Sequence, residues 1–108
     1  MYINATIERF VDPHQPGFVE CSIVDAWNRK HLFIDKIPVV AIDDLDENSS
    51  YPQPGVIACE ILKEWTDAAG REIISVTTER PWAIESNDGQ YEFDIPKDLL
   101  TTSAAGFP

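Results

Sequence analysis

Basic residues are scarce in this chain of 108 residues, because eight Lys and Arg stand against 19 Asp and Glu and leave a net charge of −11. A surface of that sign repels phosphate backbones and anionic lipid headgroups, and no basic stripe offsets it. The composition therefore argues against binding to nucleic acid or to a membrane. A basic protein, or a cation, is the class of partner that this charge permits.

Long hydrophobic runs are also missing. The longest apolar stretch, residues 37–42, is far shorter than the roughly 20 residues of a membrane-spanning helix. The N-terminus lacks the basic and apolar segments of a signal peptide, so we expect a cytoplasmic protein. Because 44% of the residues are hydrophobic, we expect residues 1–100 to form a single β domain, followed by a flexible C-terminal tail at 101–108.

Cysteine, histidine and glycine are too few to form the common catalytic, metal-binding or phosphate-binding motifs. Cys21 and Cys59 lie in alternating apolar segments, which predicts buried free thiols. His14 and His31 lie in or near turns and at no metal-ligand spacing. We favour surface histidines over a cysteine–histidine catalytic pair, and we expect no cofactor and no catalytic residue.

Alternation of apolar and polar residues, the pattern of β-strands, is what the sequence has in abundance. It predicts two hairpins, one pairing residues 18–27 with 30–37 and one pairing 56–65 with 71–79. The other predicted strands are 2–11, the short segments 39–42 and 82–85, and 91–95. The predicted fold class is therefore mostly β: a small antiparallel barrel or sandwich of about six or seven strands, with at most one short C-terminal helical turn, at residues 96–100.

The long irregular segment Asp43–Gly55 is the loop most suggestive of function, because polar loops of this length in small domains often carry binding residues. Asp44, Asp46 and Asn48 match the first three ligand positions of an EF-hand. A serine then replaces the required glycine, and a glycine replaces the bidentate glutamate. We therefore favour a solvated loop over a cation site, with these three residues as candidate metal ligands.

Aromatic residues near the strand ends supply further candidates. Trp27, Trp65 and Trp82 either plug the ends of the core or line an interface, and we favour the core. Two prolines follow Tyr51 closely and are expected to present it on an extended backbone. The predicted binding residues are Asp43, Asp44, Asp46, Glu47, Tyr51 and Trp82.

These features favour a small acidic binding protein without catalytic activity that docks on, or neutralises, a basic protein partner. An inhibitor of a basic enzyme, or a mimic of nucleic-acid charge, has this character. Two alternatives remain. One is a β-barrel that binds a small ligand or divalent metal, or a small enzyme whose site is assembled in space. The other is a structural subunit that forms a homo-oligomer through an exposed edge strand.

Overall fold

Eight β-strands and two short helical turns make up residues 1–102, which are the residues that the computed structural model describes. The elements are β1 (Tyr2–Asp12), β2 (Phe18–Val24), β3 (Lys30–Lys36), α1 (Ile37–Val40), β4 (Gln53–Ala58), β5 (Glu60–Thr66), β6 (Glu72–Thr77), β7 (Glu92–Pro96), a 3₁₀ turn (Lys97–Leu99) and β8 (Leu100–Thr101). One antiparallel sheet has the order β3-β2-β1-β4, with β8 on the start of β1, and the other has the order β5-β6-β7.

The core lies between the two sheets. Alternate residues of a strand point to the same face, so Ile3 and Ile7 of β1 enter the core together with Ile74 and Val76 of β6. The buried cluster consists of Ile3, Ile7, Val19, Cys21, Ile23, Phe33, Ile37, Val40, Ile57, Cys59, Ile74, Val76, Ile84, Phe93 and Ile95. This confirms the predicted mostly β fold. The two sheets are not closed into a barrel.

Both predicted hairpins form, although both are shorter than predicted. β2 pairs with β3 across a turn in which Asn28 has a φ of 64°, a left-handed conformation that asparagine tolerates. β5 pairs with β6 across a turn that ends at Gly70, where a φ of 83° favours glycine. The predicted C-terminal helical turn is the 3₁₀ turn before β8.

The predicted strand 56–65 is wrong as a single element, because the chain leaves one sheet at Cys59 and enters the other. A bulge at Leu62 then shifts the register of β5 against β6. Ile61 faces Val76 across the hairpin, whereas Trp65 faces Ile73. Because Val76 and Ile73 are an odd number of residues apart, the two β5 side chains lie on opposite faces, and the predicted shared face is wrong.

Two short predicted strands have other structures. Instead of a strand at 39–42, α1 forms one helical turn with Pro38 near its start, where a missing N–H is tolerated. Ala41 makes an isolated bridge to Gly55. Residues 82–85 form an irregular loop in which Ala83 has a φ of 52°. No helix within residues 1–102 has the length and apolar character needed to cross a membrane.

The last strand, β8, extends one residue beyond the predicted domain boundary at residue 100. Thr101 of β8 pairs with Tyr2 of β1. The rest of the predicted tail, from residue 103 on, lies outside the described residues.

Candidate functional site

The loop between β6 and β7 carries Trp82 on a closed and anchored base. The Ala83 N–H donates to the Glu79 carbonyl at 2.8 Å, and the Ile84 N–H donates to the Thr78 carbonyl at 2.9 Å. The buried Thr78 hydroxyl donates in return to the Ile84 carbonyl. Because the Ile84 side chain is fully buried in the core, the loop is fixed two residues beyond Trp82.

Trp82 is the most exposed large apolar side chain of the described residues, at 62%. Within residues 1–102 its indole N–H has no hydrogen-bond partner and its ring packs on no other aromatic ring. A tryptophan held outward on an anchored loop loses little conformational entropy when a partner covers it. The preferred interpretation of the tryptophans as plugs for the core is therefore wrong for Trp82, and it is also wrong for Trp27, which is 42% exposed. The alternative, an interface residue, is consistent with the position of Trp82.

An apolar groove of about 350 Å³ lies beside Trp82. We call it the Trp82 groove and define it by the residues that line it: Tyr2, Pro38, Val39, Ala41, Val56 and Trp82. Its walls come from the start of β1, from α1 and the residue that follows it, from β4, and from the β6–β7 loop. Its volume is at the lower end of the range of ligand pockets, which suits one side chain of a partner.

Gly55 allows the segment that lines this groove to pack tightly against β4. A Cβ atom at this position would lie 2.6 Å from Cγ1 of Ile7 and 2.8 Å from the Val40 carbonyl oxygen. The bridge between Ala41 and Gly55 therefore depends on the missing side chain. This is the physical reason for a glycine in a strand that otherwise carries bulky residues.

Four exposed carboxylates lie close in sequence to residues of the Trp82 groove. Asp43 and Asp44 follow the groove residue Ala41 and are both exposed. Glu79 and Glu85 stand at the two ends of the loop that carries Trp82, and both are exposed. The groove is therefore apolar along its walls and acidic in the chain segments beside it.

Glu79 and Glu85 both affect the ionisation of the Tyr91 phenol. Burial, together with the negative charges of Glu85 and Glu79, raises the pKa of Tyr91 above its ordinary value. Arg80 pairs with Glu60 at 3.1 Å and with Glu79 at 3.7 Å, which ties the Trp82 loop to the start of β5. Within residues 1–102, Glu85 has no cationic partner.

The remaining predicted binding residues lie elsewhere. Asp46 and Glu47 line a second cleft of about 320 Å³, together with Phe10, Pro13, Gln15, Pro16, Gly17, Ile37 and Leu45. Tyr51 is half-buried against the core and its hydroxyl donates to the Asp46 carbonyl at 2.8 Å. Tyr51 therefore braces the loop. Trp82 therefore lines one groove and Asp46 and Glu47 line another cleft, whereas Asp43 and Asp44 are exposed in the segment between residues of the two.

The candidate metal ligands show the hydrogen bonds of a turn. Asp46 Oδ1 accepts the N–H of Asn48 at 2.8 Å, a bond that asparagine and aspartate commonly form in turns. No three His, Cys, Asp or Glu side chains within residues 1–102 are grouped so that they could hold a metal ion. The predicted solvated loop, and the weaker alternative of a cation at Asp44, Asp46 and Asn48, both stay predictions.

Trp27 and Trp65 belong to a second cluster, which the sequence analysis did not find. We call it the tryptophan clamp and define it as Trp27, Trp65, Ser75 and Asp94. Its two ring centroids lie 6.1 Å apart. Trp65 Nε1 donates to Ser75 Oγ at 3.0 Å, Ser75 Oγ donates to Asp94 Oδ1 at 2.6 Å, and Trp27 Nε1 donates to Asp94 Oδ2 at 3.2 Å.

Asp25 fixes the turn that carries Trp27. Its Oδ1 accepts the N–H groups of Trp27 and Arg29 at 2.8 and 2.9 Å, and its Oδ2 lies 2.7 Å from His31 Nε2. Burial acts to raise the pKa of Asp25, but the hydrogen bonds from His31, Arg29 and Trp27 outweigh it and leave that pKa below its ordinary value. His31 was expected at the surface, but its side chain is only 10% exposed and packs edge-on against Phe93.

Cys21 and Cys59 are buried free thiols, as predicted. Burial raises the pKa of Cys21 to about 12 and that of Cys59 to about 11. Both thiols stay protonated at neutral pH, so neither provides the thiolate that a nucleophilic cysteine needs.

Comparison with known proteins leaves the surface of the molecule as the basis for assigning a function. The function has to be inferred from the Trp82 groove and from the charge around it. No family model, no curated protein and no solved structure matches this chain.

Proposed function

We propose that this chain is a non-catalytic binding protein that docks on a basic protein partner through the Trp82 groove. The observation that carries the proposal is Trp82 itself, which is largely exposed on a loop anchored by the buried Ile84. Tryptophan is among the residues that contribute most to binding energy in protein interfaces, especially beside a pocket. Of the side chains lining the groove only Tyr2 is ionisable, which favours contact over acid–base chemistry.

The charge of the chain selects the kind of partner. With a net charge of −11 and exposed carboxylates on the segments beside the groove, the surface attracts a basic protein and accelerates its association. A second copy of the chain carries the same charge and is repelled. The association that we propose therefore weakens as salt is added.

The features of β5 argue against a homo-oligomer that pairs through this edge strand. β5 is an edge of its sheet and most of its residues are exposed. However, a bulge at Leu62 interrupts it and charged residues occupy positions 60, 63 and 64. Bulges and charged side chains are the devices by which natural sheets prevent pairing between edges.

The experiment compares the proteins captured from a cell lysate by the wild-type chain and by Trp82→Ala, at low and at high salt. We expect the wild type to retain a basic protein that is released by salt, with affinity reduced about tenfold or more in Trp82→Ala. Ile34→Ala is the matched control, since Ile34 is 43% exposed on β3 and lies outside the groove. A captured protein that is not basic, or that Trp82→Ala binds as tightly as the wild type, contradicts the proposal.

A further inference from the structure

The tryptophans of this chain differ in what lies over their rings. The Arg71 guanidinium carbon lies 5.4 Å from the ring centroid of Trp27, and Lys63 Nζ lies 5.4 Å from that of Trp65. Within residues 1–102 no cation lies over Trp82. Trp82 is therefore the tryptophan whose ring is still available to a positive charge from outside.

We propose that the Trp82 groove takes an arginine side chain of the basic partner, an inference that rests on the proposed function and names the group that is recognised. The guanidinium would stack on the Trp82 indole, and the methylene groups would lie along the apolar wall formed by Pro38, Val39 and Val56. Long basic side chains bury their methylene stems on apolar surface in this way while the charged end stays in water.

The carboxylates beside the groove lack the cations that such a side chain would provide. Asp43, Asp44 and Glu85 have no ion-pair partner within residues 1–102. Arg80, two residues before Trp82, is occupied by Glu60 and Glu79. Unlike a purely apolar occupant, an arginine brings a positive charge to a protein whose net charge is −11.

Arginine suits this site better than lysine. The guanidinium is planar, is more weakly hydrated than an ammonium group, stacks on aromatic faces and pairs with carboxylates through two parallel hydrogen bonds. Attraction between a cation and an aromatic ring is strongest for tryptophan. The combination of an exposed indole, an apolar wall and unpaired carboxylates therefore distinguishes the two basic side chains.

The test uses three peptides of equal positive charge as probes: alternating Arg-Gly, alternating Lys-Gly, and the Lys-Gly peptide with one added leucine. Binding is followed by the NMR signal of the Trp82 indole N–H, which is assigned by its loss in Trp82→Phe. We expect the arginine peptide to bind about three- to tenfold more tightly than either lysine peptide. We also expect it to shift the Trp82 signal more than those of Trp27 and Trp65.

Two sets of variants separate stacking from charge. In Trp82→Ala we expect the arginine and lysine peptides to bind equally. The second set neutralises the carboxylates that have no ion-pair partner (Asp43→Asn, Asp44→Asn and Glu85→Gln), and it should weaken binding of the arginine peptide. The control set makes the same change in charge at exposed residues outside the groove lining (Glu47→Gln, Glu92→Gln and Asp98→Asn), and it should weaken that binding less.

The outcomes distinguish this inference from the proposed function. Equal binding of the arginine and lysine peptides, or a preference for the leucine peptide, overturns the arginine inference and leaves the docking of a basic protein standing. An unchanged Trp82 signal with all three peptides also overturns it. The proposed function fails only when the protein captured from the lysate is not basic or does not depend on Trp82.

Discussion

The tryptophan clamp and the Trp82 groove use the same type of side chain, tryptophan, in opposite ways. In the clamp both indole N–H groups donate to acceptors of the chain, and both rings lie under a cation. Within residues 1–102, Trp82 has neither. A tryptophan whose polar and aromatic groups are satisfied internally stabilises the fold, whereas one that is held rigidly without partners is available to another molecule.

The backbone explains why the two regions differ. Trp27 lies in a turn that Asp25 holds against β7, where the Ala26 N–H donates to the Asp94 carbonyl at 2.8 Å. That turn brings its indole next to Trp65. Trp82 lies in a loop whose buried anchor, Ile84, points into the core and leaves the loop tip outside.

The largest expected effect is on the turn that supports the clamp. Asp25→Ala should lower the free energy of unfolding by about 2–4 kcal/mol, because two backbone N–H groups and His31 lose a buried acceptor. Asp25→Asn keeps an oxygen for the N–H groups and should cost about 1 kcal/mol. Urea denaturation of the three proteins at pH 7 measures both values. Equal stability of the wild type and Asp25→Ala would show that the turn does not depend on this carboxylate.

The stabilising effect of Asp25 should depend on pH. Because hydrogen bonds hold the pKa of Asp25 below its ordinary value, the folded state favours the ionised carboxylate. The contribution of Asp25 to stability is complete above the pKa that an aspartate has in the unfolded chain, about 4. It is lost as the pH falls through the lower pKa that Asp25 has in the folded state. The difference in stability between the wild type and Asp25→Asn should therefore shrink as the pH falls below about 4. A difference that stays constant contradicts this assignment.

A smaller effect separates the two kinds of tryptophan directly. Trp27→Ala should destabilise the chain by about 2 kcal/mol, since it removes a hydrogen bond to Asp94 and the contact with Trp65. Trp82→Ala should change the free energy of unfolding by less than about 0.5 kcal/mol, as is usual for surface substitutions. Urea midpoints at one pH compare them. Loss of stability in Trp82→Ala equal to that in Trp27→Ala would mean that both residues serve the fold.

The sequence predicted the features that depend on neighbouring residues. Alternation over a few positions was enough to place both hairpins and to bury Cys21 and Cys59. It was not enough to show that the chain changes sheets at Cys59, because the alternation looks the same in one long strand and in two. The bulge at Leu62 inserts one residue without any change in composition, and it sends Ile61 and Trp65 to opposite faces.

The candidate site was predicted only in part for a related reason. Trp82 was named from its residue type and lines the groove, whereas Asp43 and Asp44 only follow the groove residue Ala41 in the sequence. The clamp joins residues up to 67 positions apart, such as Trp27 and Asp94, and no local pattern links them. The role of Tyr51 was also not evident, because its bond to the Asp46 carbonyl depends on how the loop folds back.

The smallest effect concerns the charge around Trp82. Exposure is measured first, with the neutral quencher acrylamide. Relative to the wild type, its quenching of tryptophan fluorescence should fall most in Trp82→Phe and less in Trp27→Phe, because Trp82 is the more exposed indole. At low salt, caesium should quench Trp82 more efficiently than iodide, each relative to free N-acetyltryptophanamide, because the nearby carboxylates concentrate cations and exclude anions. The two ions should become similar at high salt, where the field is screened. Equal quenching at low salt would mean that these carboxylates do not control the potential at the indole, and the preference for a basic partner would then have to come from another part of the surface.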